Sequence, residues 1–190
     1  VGAPADTTPP AVPILTGPSA TNSTMPTVIG TAEPSSTVTI YDAGGTSLGQ
    51  GQADGNGDFS IQLSNALTEG SHDITATATD AANNESGPSG ALTIVVDLTP
   101  PTLSLVGDAS VTLSLNGSYT DDGATATDTT AGDLDASVQV GGDVVNTAVV
   151  GTYIVAYNVS DAAGNAAPQV TRTVEVTAPA NQTADSITIV

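Results

Sequence analysis

The sequence predicts an all-β protein built as two β-sandwiches in series, and three observations predict it. First, apolar and polar residues alternate with a period of two. "ITATATD" sets Ile74, Ala76 and Ala78 against Thr75, Thr77 and Thr79, and "YIVAYNVSD" sets Tyr153, Val155, Tyr157 and Val159 against Ile154, Ala156, Asn158 and Ser160. That is the pattern of a strand with one buried face. Second, Gly 20 and Pro 12 cut the chain into short segments, and none carries a helical period. Third, one linker–strands–loop unit occurs twice. "DTTPP" and "DLTPP" each precede an apolar segment, "VPILT" and "TLSLV", and each unit later reaches a loop, "DAANN" or "DAAGN".

The two copies align without gaps from Gly70 and from Gly151, a shift of 151 − 70 = 81 residues. Asp80 then matches Asp161, Asn84 matches Asn165, and His72 falls opposite Tyr153. Asn83 stands where the second copy has Gly164; Asn tolerates a left-handed backbone better than most residues, so the loop shape is expected to survive. A period this long is that of whole domains rather than of solenoid repeats. The expected organisation is a linker at residues 1–10, a first domain at 11–97, a second at 98–177, and a tail at 178–190. The tail's "SITIV" is a further strand or the first strand of a following domain. The remaining predicted strands are "TVIGTAE", "STVTIYD", "DFSIQL" and "ALTIVVD" in the first unit, and "ASVTLSL", "SVQV", "DVVN" and "RTVEV" in the second.

Composition excludes several function classes. With 20 acidic residues, one Arg (Arg172) and no Lys, the formal charge is −19, which repels nucleic acid and anionic lipid. Cys 0 rules out disulfides, zinc–thiolate sites and thiol catalysis. No apolar run is long enough for a membrane span. The opening "VGAPADTTPP" reads as linker, so the chain is expected to be an internal fragment of a longer protein. His72, the single His, is expected to pack as Tyr153 does, near the start of a strand where a tyrosine corner fastens a sandwich. There is no nucleophile elbow, and the acids lie in linkers and turns, so no enzyme is expected. "DGNGD" (Asp54, Asn56, Asp58) opens like an EF-hand loop but has Phe59 and Asn65 where Gly and Glu belong; a hairpin turn is expected there.

The first unit, through "DTTPP", "TAEPSSTVTIYD", "ADGNGDFSIQL", "EGSHDITATATDAANNES" and "LTIVVD", resembles bacterial immunoglobulin-like domains of large surface adhesins. The second, through "DLTPPTLSL", "SYTDDGATATD", "VVNTAVVGTYIVAYNVSDAAGN" and "VTRTVEV", resembles a related Ig-like class of bacterial surface proteins. The resemblance implies two tandem immunoglobulin-like β-sandwiches joined by a short Pro-containing linker. It also implies an extracellular location on the bacterial surface and a spacer role in calcium-dependent, RTX-type adhesins exported by type I secretion. Neighbouring Ig-like domains of the same chain are the implied partners, in a monomer. Without Lys, the Lys–Asn isopeptide staple of some surface domains cannot form. The alternative roles are a module that binds glycan or ice, or an accessory domain of a secreted enzyme; Trp 0 and one Phe disfavour a sugar platform.

In such a sandwich the loop between the last two strands lies at the pole where the first strand begins. Asp161 and Asn165 are therefore expected to approach Asp97 of the linker. "TDDG", read as the turn after the second strand, is expected to bring Asp121 and Asp122 to the same junction. Carboxylates gathered without a cation repel one another by about 4 kcal/mol per pair at 4 Å and an effective dielectric of 20. Ca²⁺ relieves this with 6–8 oxygen ligands. The equivalent set at the N-terminal pole is Asp6, Glu33, Asp80 and Asn84. Asp128, Asp133 and Asp135 form a possible second calcium loop.

Overall fold

The computed structural model describes residues 4–179. The "SITIV" expectation lies outside them. The chain divides between Thr99 and Pro100 into two compact units, and the loop tip Ala162–Asn165 belongs to the first.

The first unit contains β1 (Ile14–Thr16), β2 (Ala20–Thr21), β3 (Thr27–Thr31), β4 (Thr37–Asp42), β5 (Ser47–Gln52), β6 (Asp58–Gln62), β7 (Gly70–Thr79) and β8 (Leu92–Val96). One sheet runs β1-β3-β6, the other β2-β8-β7-β4-β5. Between β1 and β2 the chain leaves the first sheet at Gly17-Pro18 and joins the second, where β2 pairs parallel with β8. Pro18 has no N–H and cannot continue a ladder, which suits the crossing. The predicted alternation is realised in β7: Ile74, Ala76 and Ala78 are fully buried, and the intervening Thr residues are not. Ile74 and Ala76 join Val28, Val38, Ile40, Phe59 and Ile94 in the core.

Two features of this unit differ from expectation. β5, "SLGQGQ", carries no β-branched residue and has no strand signal of its own. Its glycines serve packing instead: a Cβ at Gly51 would stand 2.8 Å from Ile61 Cγ1, and one at Gly49 would stand 3.3 Å from the Gln62 carbonyl oxygen. Second, "DGNGD" does not close a hairpin. β5 pairs with β4 and β6 with β3, so this turn carries the chain from one sheet to the other.

The second unit contains β9 (Thr102–Leu105), β10 (Ser110–Ser114), β11 (Ala124–Asp128), β12 (Gly132–Asp133), a 3₁₀ turn (Asp135–Ser137), β13 (Gln139–Gly142), β14 (Gly151–Asn158) and β15 (Val170–Thr177). Its sheets are β12-β11-β9 and β10-β15-β14-β13. The first strand again divides between sheets, and β10 again pairs parallel with the last strand. Val155 and Tyr157 of β14, with Val159 just after it, are buried along one face, and Leu103 and Ala126 join them in the core. "DVVN" is not a strand: Gly142, at φ +80, turns the chain out of β13, and Val144 is 90% exposed.

Candidate functional site

The loop after β7 is built around Asp80. The backbone N–H groups of Ala82 and Asn84 donate to Asp80 Oδ1 at 2.8 and 2.9 Å, and Asn84 Nδ2 donates to Oδ2 at 2.9 Å. The Asn84 amide, followed by its backbone N–H, holds the Asp80 carboxyl below the usual carboxylate range. Asn83 takes φ +67, and its counterpart Gly164 takes φ +96, so the left-handed position is kept across the substitution. A single antiparallel bridge closes each loop, Thr79 with Glu85 and Ser160 with Ala166.

Asn84 Nδ2 also reaches the Asp6 carbonyl oxygen, at 3.2 Å. The loop therefore sits beside its own N-terminal linker, as the topology requires. The carboxylates behave differently. Asp6 Oδ1 accepts the Thr8 N–H at 3.0 Å, and Glu33 is joined to Ser36 through its main-chain carbonyl. Among the described residues, Asp6, Glu33 and Asp80 form no group of three carboxylates within ligand distance of one another.

The loop tip in the first unit repeats the clasp. Asn165 Nδ2 donates to the Asp97 carbonyl oxygen at 2.8 Å, and the Asn22 N–H donates to the Ala163 carbonyl at 3.1 Å. Asp97 is 2% exposed. Its N–H donates to Thr21 O at 2.9 Å, and its Oδ1 accepts the Thr99 N–H at 3.1 Å. In both copies an Asn amide holds the main chain of the linker Asp.

In the second unit the carboxylates of Asp128 and Asp161 lie within 4.8 Å of each other. Asp128 Oδ1 accepts the N–H groups of Thr130 and Ala131 at 2.7 and 2.8 Å. Asp128 Oδ2 is buried and has no hydrogen-bond partner among the described residues. Two carboxylates this close, one with an unsatisfied buried oxygen, fit a hard cation that takes oxygen ligands. Asp133 and Asp135 do not join them. Asp133 Oδ1 accepts the Asp135 N–H at 2.9 Å, and Asp135 Oδ1 accepts the Ala126 N–H at 2.6 Å.

Asp121 and Asp122 require a correction. "TDDG" precedes β11 rather than following it. β11 runs antiparallel to β9, with Ala124 opposite Leu105 and Thr127 opposite Thr102. Asp128 thus ends where β9 begins, beside Asp161, and residues 120–123 enter at the opposite end of the sandwich. There Asp121 meets a cation 51 residues away in the chain: Arg172 Nη1 donates to Asp121 Oδ1. Tyr157 and Tyr119 donate their hydroxyls to the same oxygen at 2.5 and 3.1 Å. Arg172 is 1% exposed and Asp121 27%. The guanidinium also donates to the carbonyls of Asp108, Val106 and Gly123, and lies 5.8 Å from the Tyr157 ring centroid, within cation–π range. Burial pushes the Asp121 carboxyl up, but hydrogen bonds from Tyr157 and Tyr119, with the Arg172 charge, outweigh it and leave the group below its ordinary range. The same burial, with Asp121 as acceptor, raises Tyr157. Asp122 is exposed.

His72 and Tyr153 are placed alike. Tyr153 donates its hydroxyl to Val149 O at 3.1 Å and Asn146 O at 2.9 Å, and His72 Nε2 lies 2.8 Å from Thr68 O. Both reach a carbonyl four residues upstream, which is the corner expected for Tyr.

Residues 16–97 match the family described as bacterial Ig domain, and residues 103–176 match the bacterial surface protein, Ig-like domain family. Neither is a catalytic family. No curated protein matches the chain. Among solved structures, the fibronectin(III)-like modules of Clostridium thermocellum CbhA share 17% identity over 87% of this chain and 95% of theirs, with a TM-score of 0.52. That similarity is one of fold. The lipoprotein BT2262 of Bacteroides thetaiotaomicron shares 29% identity over 42% of this chain, with a TM-score of 0.37, and the match spans 38% of that protein.

Proposed function

From two bacterial Ig-like domains of different families set in tandem, we propose that this chain is a spacer of a bacterial surface protein, stiffened by Ca²⁺ at its acidic loops. The observation that carries the spacer reading is the repeated clasp, Asn84 on the Asp6 carbonyl and Asn165 on the Asp97 carbonyl. A side-chain amide on the main chain of a linker fixes the path of that linker, which a spacer needs and a ligand pocket does not. The description of the second domain's family, a bacterial surface protein, supports a surface location, and an adhesin context is part of the same proposal.

Support for calcium lies within the second unit. Asp128 and Asp161 approach within 4.8 Å, and Asp128 Oδ2 is buried without a partner among the described residues. Carboxylate, carbonyl and amide oxygens suit Ca²⁺, while the absence of Cys and the single His disfavour Zn²⁺ and Cu²⁺. Relative to the expected ligand set, Asp128 takes the place of Asp121 and Asp122. Bound Ca²⁺ would neutralise the paired carboxylates and hold the loops that carry them.

The test is calorimetric titration of Ca²⁺ together with melting and small-angle scattering, in calcium and in EDTA. Calcium is expected to raise the melting temperature and lengthen the particle, and Asp128→Asn and Asp161→Asn are each expected to abolish the response. Identical melting and scattering in both buffers would overturn the calcium reading. Glycan binding by the isolated chain would overturn the spacer reading.

A further inference from the structure

We propose that Asn116 is a glycosylation site, the acceptor for a sugar transferred from a glycosyl-phosphate donor. The inference does not depend on the calcium reading. Five Asn residues stand in the acceptor pattern Asn-x-Ser/Thr, at Asn22, Asn84, Asn116, Asn158 and Asn181. Asn181 lies outside the described residues, and the structure separates the other four.

Asn84 spends its amide on Asp80 and Asp6, and the hydroxyl of its Ser86 is buried against the Ala78 N–H. Asn158 lies in β14 opposite Gln139, with its Oδ1 bound by Gln169 Nε2 at 2.9 Å. Asn22 is exposed, but its Nδ2 would stand 3.6 Å from a Cβ at Gly164, and the hydroxyl residue of its pattern, Thr24, is half-buried. Asn116 alone combines the needed features. It lies in the turn after β10, at φ +63, and both it and Ser118 are exposed. Neither the Asn116 amide nor the Ser118 hydroxyl has a hydrogen-bond partner among the described residues.

The turn also protects this amide from the usual fate of Asn-Gly. Loss of the amide begins with attack by the following N–H on the side-chain carbon. The Gly117 N–H instead donates to Ser114 O at 2.8 Å, and the Asn116 N–H is held by Thr147 O at 2.7 Å. The amide thus stays intact and presented. In the transfer, Asn116 Nδ2 bonds to C1 of the sugar, the C1–O bond to phosphate breaks, the phosphate-bearing group leaves with the electron pair, and Nδ2 gives one proton to the transferase.

The protein purified from its source cells and cut with Asp-N releases Asp108–Thr120, which holds Asn116 as its single Asn. The expected result is a peptide heavier by sugar, to a greater extent than at Asn22, Asn84 or Asn158. One sugar residue indicates a nucleotide-linked donor, and a preassembled oligosaccharide a lipid-linked one. Ser118→Ala, which leaves the turn backbone alone, is expected to abolish the addition. An unmodified peptide, an amide-to-acid change alone, preferential modification at another acceptor, or sugar persisting in Ser118→Ala would each overturn the proposal.

Discussion

Replacing Asp121 with Ala removes the one carboxylate that, among the described residues, pairs with Arg172, the chain's single Lys or Arg. Arg172 is 1% exposed, so its charge cannot turn to water without moving the strand that carries it. Breaking a buried ion pair from one side costs about 3–5 kcal/mol. Two features reduce that here. Asp121 is itself 27% exposed, and the carbonyls of Val106, Asp108 and Gly123 keep their bonds to the guanidinium. Loss of the acceptor for Tyr157 and Tyr119 works in the opposite direction. A net loss of about 2–3 kcal/mol is expected. In a domain of this size each kcal/mol lowers the melting temperature by about 4–8 °C, so the second unit should melt roughly 10–20 °C earlier. Near-ultraviolet circular dichroism reads this directly, because Tyr119, Tyr153 and Tyr157 lie in the second unit, only Tyr41 lies in the first, and there is no Trp. Asp122→Ala, at an exposed neighbour, is the control and should stay within about 0.5 kcal/mol. Equal shifts for the two variants would refute the reasoning.

The same carboxyl makes the second unit acid-sensitive. Its folded pKa lies below the unfolded value of about 3.9, so the stabilisation is complete at neutral pH and is lost as pH falls through the folded value; Asp121→Asn should flatten the acid limb of a pH–melting profile. Asn84→Ala removes the hold on Asp6 and is expected to cost about 0.5–1.5 kcal/mol per hydrogen bond lost, read as faster amide exchange at residues 6–8. Gly30→Ala would put a methyl group 2.6 Å from the Phe59 ring and against the Ile14 carbonyl, and should lower the urea midpoint of the first unit by the equivalent of about 1–3 kcal/mol.

Strands were legible wherever alternation was local. β7 and β14 bury the faces their sequences mark, because side-chain direction in a strand depends only on the parity of the position. β5 was not legible, since its glycines answer to Ile61 on another strand. The repeated loops were legible too, including the left-handed position shared by Asn83 and Gly164.

Composition and period alone determined the all-β class, the two-unit organisation and the exclusion of cysteine thiol chemistry; the loop beside each linker follows from the topology of the sandwich that the sequence resembles. Tertiary structure decided where the acids go. In an antiparallel sandwich, moving a loop from one end of a strand to the other carries its side chains to the opposite pole, and residues 120–123 lie before β11 rather than after it. That placement gives Asp121 to Arg172, 51 residues away, and leaves Asp128 beside Asp161. No local pattern encodes a partner at that separation; it follows from strand order and register, which the packed core sets.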